Sequence, residues 1–177
     1  MINEQIRRPD GTYQRRDDTM WIDDVYMSVP FLIRYADVDP EAETLDEACR
    51  QILHFRDYFE IPHHDGNGGS LMAHMRDLHR KSANGIPWSR GNAWVLFFLS
   101  EILMALPQTH HAREELRSFF LRLCKGYQSV QDISGLWHQV RDEPDTYLET
   151  SGSAMFLCVM ARDVRYGFLM IPMGQGL

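Results

Sequence analysis

Cysteine is scarce and without pattern. The 177-residue chain has three, Cys49, Cys124 and Cys158, an odd and widely spaced set that makes neither a disulfide framework nor a metal site. Each lies inside an apolar helical pattern and is expected to be a small core residue. Positive charge is also short: 18 Lys and Arg against 25 Asp and Glu give a net charge of −7. The basic residues are dispersed rather than striped, which argues against a phosphate backbone, so no nucleic-acid partner is expected. Long apolar runs are missing as well. The longest, Trp94 to Leu106, is interrupted by Ser100 and Glu101, and the opening MINEQIRRPDG lacks the apolar stretch of a secretory signal. The chain is therefore expected to be soluble and cytoplasmic, with no membrane partner. Metal-ligand spacing is absent too. His63 and His64 beside Asp65 diverge and have no regularly spaced third ligand, and His110 and His111 at the start of a helix are expected to be solvated, so no metal or other cofactor is expected.

What is present suits a folded domain, or one lobe of something larger, since 44% apolar and 24% charged residues are close to the globular average. The apolar residues recur with a helical period, which makes the fold class all-α. From Met20 to about Ala36 they fall at spacings of three and four, an amphipathic helix. Pro40 and Glu41 then open a one-sided surface helix carrying Leu45, Cys49, Ile52, Phe55 and Phe59 on one stripe. After the Pro- and Gly-rich loop PHHDGNGG, a helix starting near Asn92 and ending at Leu106 is apolar on nearly every face, with Gly91 and Asn92 forming a turn into its cap. Ala112, Leu116, Phe119, Phe120, Leu123 and Tyr127 define another one-sided helix that ends before GYQS. A last helix runs from about Ser151 to Tyr166, with Gly167 as its stop. The order reads inner, outer, inner, outer, inner.

A short repeat runs in phase with that order. GTYQRRDD begins at Gly11, SLMAHMRD at Ser70 and GLWHQVRD at Gly135, at intervals of 59 and 65 residues. Each octet reads as a strand-like approach to the next inner helix, so the chain is a series of helical hairpins. Inner helices that are apolar on several faces need neighbours on both sides, which implies a ring or a curved double layer. With only about two and a half hairpins, this chain is not expected to close such a ring.

Unusual residues gather where each inner helix begins: DDTMWIDDVYM at 17–27, IPWSRGNAW at 86–94 and YLETSGSAMF at 147–156. In a hairpin ring these segments meet at one mouth. Asp23 and Asp24 are neighbours on a helix and point about 100° apart, so they cannot serve the same substrate atom. Acids in a first turn commonly favour the helix dipole and cap free N–H groups. The other reading makes one of them, between Trp21 and Tyr26, a desolvated and protonated general acid. Trp88, Arg90 and Trp94 offer stacking faces around a forked donor for a carboxylate, although Trp94 as core and Arg90 in a surface ion pair fit equally well. His74 stands where Arg15 and Gln139 stand in the other octets, a polar position expected to face the mouth, or else an ordinary surface histidine.

W-x-D-D-x-Y-M at 21–27, W-x-R-G-N-x-W at 88–94 and YLETSGSAMF, in this order, resemble glycoside hydrolase family 105, the unsaturated rhamnogalacturonyl hydrolases. The resemblance implies an (α/α)6 barrel of six hairpins with the active site where the inner helices begin. This chain, residues 1–177, would be a single partial domain comprising about half of that ring. The resemblance further implies that Asp23 is the catalytic acid, Trp21 a wall beside it, His74 a polar contact to substrate, and Arg90 with Trp94 the clamp on an unsaturated uronate. Asp24 would be structural. The partner implied is an unsaturated uronic-acid oligosaccharide, whose vinyl ether Asp23 would protonate, with burial beside Trp21 raising that carboxyl's pKa. Two features depart from the family. The hairpins that supply a second important aspartate are absent, and whether Arg15 or Arg16 is the family's upstream basic residue stays open. Unsaturated glucuronyl hydrolase activity, or an inactive helical remnant that binds carbohydrate or a partner chain, are the alternatives, and the open edge of the ring would favour self-association.

Overall fold

The computed structural model describes residues 4–15, 17–40, 43–63 and 66–167. Their elements run β1 (Thr19–Trp21), α1 (Asp24–Tyr35), α2 (Thr44–Phe59), β2 (Glu60–Pro62), β3 (Ser70–Met72), β4 (Met75–Asp77), β5 (Ser82–Ala83), α3 (Ser89–Ala105), α4 (Arg113–Ser129), β6 (Trp137–His138), β7 (Leu148–Glu149) and α5 (Thr150–Arg165). The chain is mostly helical and the five helices form two layers. In one, α3 lies between α1 and α5; in the other, α2 and α4 cover α1 and α3 from outside. This is the alternation read from the apolar periods.

The outer helices bury one stripe each. Phe55 and Phe59 of α2 and Phe119 and Phe120 of α4 are 0% exposed, and burying an aromatic of this size is worth about 1.5–3 kcal/mol. The inner layer is cross-linked by polar residues that interrupt its apolar sequence. Glu101 of α3 accepts from Arg34 at the end of α1 (2.6 Å) and from Arg162 at the end of α5 (2.6 Å). Ser100 donates to the buried Asp163 of α5 at 2.7 Å, and burial presses that carboxyl above its ordinary value. Because the last turns of α1 and α5 meet the same residue of α3, the three inner helices run parallel. Their first turns therefore share one end.

Short antiparallel strands tie that end together, in the orders β1–β4–β5, β2–β3 and β6–β7. Both α1 and α5 carry exposed apolar residues, Met27 and Phe31 on the first and Leu157 on the second.

The structure corrects several local expectations. Met20 and Trp21 belong to β1, not to the first helix, because Trp21 pairs with Met75 across the sheet. The second helix begins at Thr44, after Glu43 in a left-handed conformation (φ 50°); Glu41 lies outside the described residues. The inner helix α3 begins at Ser89, which places Gly91 and Asn92 inside it and buried. Helix α4 passes through Gly126 to Ser129 instead of stopping there. A side chain at Gly126 would put a Cβ 2.1 Å from the carbonyl oxygen of Ser70, so this glycine provides room for β3. Cys49 and Cys124 are core residues as expected, but Cys158 is exposed.

Candidate active site

The mouth is built by a repeated backbone brace. In the second octet the carbonyl of His74 accepts from Ile22 N at 2.9 Å and Met75 pairs with Trp21. In the third, the carbonyl of Gln139 accepts from Ser89 N at 2.7 Å and Val140 bridges Trp88. His74 and Gln139 hold the same octet position, as do Met75 and Val140. The second and third octets thus brace the start of the preceding inner helix, and both also bond to the approach to the next, His74 N donating to Ile86 O at 2.8 Å and Gln139 N to Tyr147 O at 2.9 Å. The correspondence makes Trp21 equivalent to Trp88 and, two residues on, Asp23 equivalent to Arg90.

The side chains then fall into one row across the first turns of α1, α3 and α5. Asp23 precedes α1 and its carboxylate makes no helix-capping bond; its Oδ2 lies 3.5 Å from His74 Nε2, and both side chains are about one quarter exposed. The His74 imidazole sits between two indoles, edge-on to Trp21 at 5.0 Å and tilted against Trp88 at 4.6 Å. The Arg90 guanidinium lies 4.5 Å from the centre of the Trp88 ring. Its Nη1 is 3.5 Å from Ser151 Oγ and 3.8 Å from Glu149 Oε1 at the start of α5. An acid, an imidazole and a guanidinium, separated by aromatic faces and open to solvent, make a surface suited to a sugar that bears a carboxylate.

Asp24 has a different task. Its Oδ1 accepts from Arg15 Nε at 2.7 Å and its Oδ2 from Trp21 N at 3.2 Å. Burial pushes this carboxyl above its ordinary value, against the opposing pull of those two donors. The acid that burial raises is thus the one tied into the backbone, and Arg15 is its partner; Arg16 lies outside the described residues. Arg15 also approaches the Trp21 ring, at 5.9 Å.

Trp21, Asp23, His74 and Arg90 gather at the mouth. Trp94 sits one turn along α3, half-buried, with its ring 4.2 Å from Tyr26 and 6.0 Å from Phe98. The indole under Arg90 is therefore that of Trp88. Sequence reasoning set Trp88 beside Arg90 as a stacking face, but it did not single out Glu149 or Ser151 within the third segment. Glu149 is the N-cap of α5, its carboxylate accepting from Ser151 N at 3.1 Å and Gly152 N at 2.5 Å; cap preferences favour Thr150 or Ser151 there, so the signal for Glu149 is only that of an acid at a helix start.

Among the described residues one His and Asp group comes within metal-ligating reach, Asp46 with His110 and His111. His110 Nδ1 accepts from Ala112 N at 3.2 Å while its Nε2 lies 3.2 Å from Asp46 Oδ1. That arrangement leaves the proton on Nε2, directed at the carboxylate, so His110 ties α2 to the approach of α4 and does not offer a lone pair to an ion. Its side chain is 13% exposed, which corrects the expectation that it is solvated; His111 is exposed. His63 is described, but His64 and Asp65 lie outside the described residues.

Parallel inner helices on a hairpin repeat, with an acid, indoles and a guanidinium at their starts, define a helical-hairpin fold. The chain belongs to Glycosyl Hydrolase Family 88, whose family profile matches residues 1–175. It is 28% identical over 135 residues to the unsaturated rhamnogalacturonyl hydrolase YesR of Bacillus subtilis, covering 76% of this chain and 38% of that protein. A possible member of the GH105 family from Salmonella enterica superposes with a TM-score of 0.82 at 26% identity, covering 96% of this chain and 46% of that one. The family 105 glycoside hydrolase of Clostridium acetobutylicum (C. acetobutylicum ATCC 824) has the same fold, with a TM-score of 0.84 at 24% identity over 96% of this chain and 50% of that one. These likenesses bear out the resemblance to family 105 carried by the three mouth segments. The chain spans about half or less of the length of these relatives.

Proposed function

We propose that the chain is the central part of a six-hairpin (α/α)6 barrel that removes 4,5-unsaturated galacturonate from rhamnogalacturonan oligosaccharides. The observation that carries this reading is the row from Asp23 through His74 and Trp88 to Arg90. In this reading Asp23 is the proton donor and Arg90 the carboxylate receptor, with the aromatic rings lying between them. Arg90, with Trp94 one turn along the same helix face, takes the uronate carboxylate. The sugar ring rests against Trp21 and Trp88, and His74 holds a hydroxyl.

Asp23 gives its proton to C4 of the vinyl ether while water adds at C5, and the water's proton returns to the Asp23 carboxylate. The product at C5 is a hemiketal. It opens to a ketone, and the freed C1 hemiacetal releases the neighbouring sugar. The bond hydrated is the alkene, so one carboxylate suffices where ordinary glycoside hydrolysis uses a flanking pair. Asp24 takes the backbone and Arg15 bonds, which leaves Asp23 without a structural duty of that kind.

The test is the ultraviolet absorbance of the conjugated double bond in a lyase-generated galacturonyl-rhamnose disaccharide. Decay is expected with the wild-type protein, and Asp23→Asn should slow it about 10²–10⁴-fold, the usual contribution of a positioned general acid. Persistent absorbance with the wild-type protein would overturn the hydrolase reading, and full activity in Asp23→Asn would overturn the assignment of the acid. Faster decay of a chondroitin disaccharide would move the substrate to the glucuronyl class.

A further inference from the structure

We propose that Glu149 is a positioning residue: acting through Ser151, it aims the Arg90 guanidinium at the substrate carboxylate. The inference rests on the reading of Arg90 as that carboxylate's partner. Glu149 is 6% exposed and both of its oxygens are committed. Oε1 accepts from Ser151 N at 3.1 Å and from Ser151 Oγ at 2.6 Å, and Oε2 accepts from Gly152 N at 2.5 Å. The Ser151 hydroxyl proton is therefore held on Glu149. Its oxygen lone pairs are left for Arg90 Nη1, 3.5 Å away.

The guanidinium is thus located on two sides without its fork being filled. The Trp88 ring centre lies 4.5 Å from its central carbon, Ser151 Oγ lies 3.5 Å from Nη1, and the Glu149 carboxylate at 3.8 Å attracts it from beyond hydrogen-bond distance. An arginine presents five donors, so most of the fork stays available for a second carboxylate. Glu149 would repel an incoming anion if its charge stood alone, but it caps α5, whose N-terminal amides and dipole offset that charge. Gly152 makes the close approach possible. A Cβ there would lie 2.5 Å from Ser89 Oγ and 2.8 Å from Glu149 Oε2, so only glycine lets the start of α5 close on the start of α3.

The discriminating measurement compares the unsaturated galacturonyl-rhamnose disaccharide with its methyl ester, for turnover and for binding by calorimetry. The wild-type protein should prefer the free acid. Ser151→Ala should raise KM and Kd for the acid about tenfold, the scale of one hydrogen bond to a charged group, with kcat within about twofold. The ester should be handled as before, so the preference for the acid falls by the same factor. Glu149→Gln should do likewise, and Ser151→Thr, which keeps the hydroxyl, should restore the preference. A merely structural role would weaken acid and ester together. If the wild-type protein prefers the acid and Ser151→Ala keeps that preference in full, the positioning role is overturned while the hydrolase reading stands. If the wild-type protein neither binds nor turns over the acid, that reading fails and takes this one with it.

Discussion

Replacing Asn92 by Ala and by Asp separates hydrogen bonding from packing at the joint behind the mouth. Asn92 is 0% exposed on α3. Its Oδ1 accepts from Met72 N at 2.7 Å, and its Nδ2 donates to Met72 O at 2.8 Å and to Trp88 O at 2.9 Å. Ala73 N donates to Phe59 O, so by antiparallel alternation the polar groups of Met72 point away from β2. The Asn92 amide takes both, as a neighbouring strand would. Trp88 O also accepts from Asn92 N and survives the loss. Asn92→Ala thus orphans two buried groups at about 1–3 kcal/mol each, a sum of about 2–6 kcal/mol. At about 2–4 °C per kcal/mol for a chain of this size, a central loss of about 4 kcal/mol lowers Tm by about 8–16 °C. Asn92→Asp keeps the acceptor for Met72 N but turns an oxygen toward two carbonyls, so at neutral pH it should be no more stable than Ala. Protonation returns a donor, which places the new carboxyl's folded-state pKa above its unfolded value. Its stabilising contribution is then full below the unfolded value and lost as pH rises through the folded one. Thermal unfolding followed by far-ultraviolet circular dichroism at neutral and mildly acid pH checks this. A Tm change of under about 2 °C for Asn92→Ala, or an Asn92→Asp as stable as wild type at neutral pH, would refute the reasoning.

Two further outcomes follow from the same packing. Gly126→Ala should destabilise by about 1–3 kcal/mol or more, because the new Cβ meets backbone atoms of Ser70 at 2.1 and 2.9 Å. An ordinary exposed helix position would gain about 1 kcal/mol from the same change, so the sign of the shift in urea midpoint decides the matter. Burial presses the Glu149 carboxyl upward, but the donors from Ser151 and Gly152 outweigh it and hold it below its ordinary value of 4.5. Its contribution to stability is therefore present above about pH 4.5 and lost as pH falls through the lower folded-state value. Urea unfolding at a series of acid pH values should show a flatter decline for Glu149→Gln than for wild type, and an identical decline would count against the cap.

The layering of the helices was legible because burial has a period. Phe55, Phe59, Phe119 and Phe120 recur at helical spacing on one side of α2 and α4, and the near-continuous apolar pattern of α3 announces an element with neighbours on several sides. Polar residues inside that pattern were read only as interruptions. Ser100 and Glu101 became cross-links once α1 and α5 brought Arg34, Arg162 and Asp163 beside them, and no local period records a partner some 60 residues away. Gly91, Asn92 and Gly126 were read by their habit as turn formers, whereas packing places all three inside helices. At the mouth, residue type and place pointed to Asp23 or Asp24, His74 and Arg90, and the family resemblance chose Asp23 between the two acids and added Trp21. The link from Arg90 to α5 escaped notice because a glutamate before a helix has an ordinary explanation as a cap, which it also fulfils.

The repeat explains how so short a motif set places an acid at one end of the mouth and a guanidinium at the other. The brace from each octet imposes the same backbone frame on the residues before successive inner helices, so Trp21 and Trp88 are fixed alike. The residue two positions on then projects from the same point of each frame, and there one repeat carries Asp23 and the next Arg90. Parallel inner helices put these frames side by side, and the imidazole of the intervening octet fills the gap between the two indoles. A ring of hairpins thus needs no special loop to create a polar cleft, because changing one residue per repeat is enough. The same logic accounts for Asp24: its carboxylate holds Trp21 N and Arg15, so the frame is locked by the neighbour and the projecting Asp23 carries neither of those bonds.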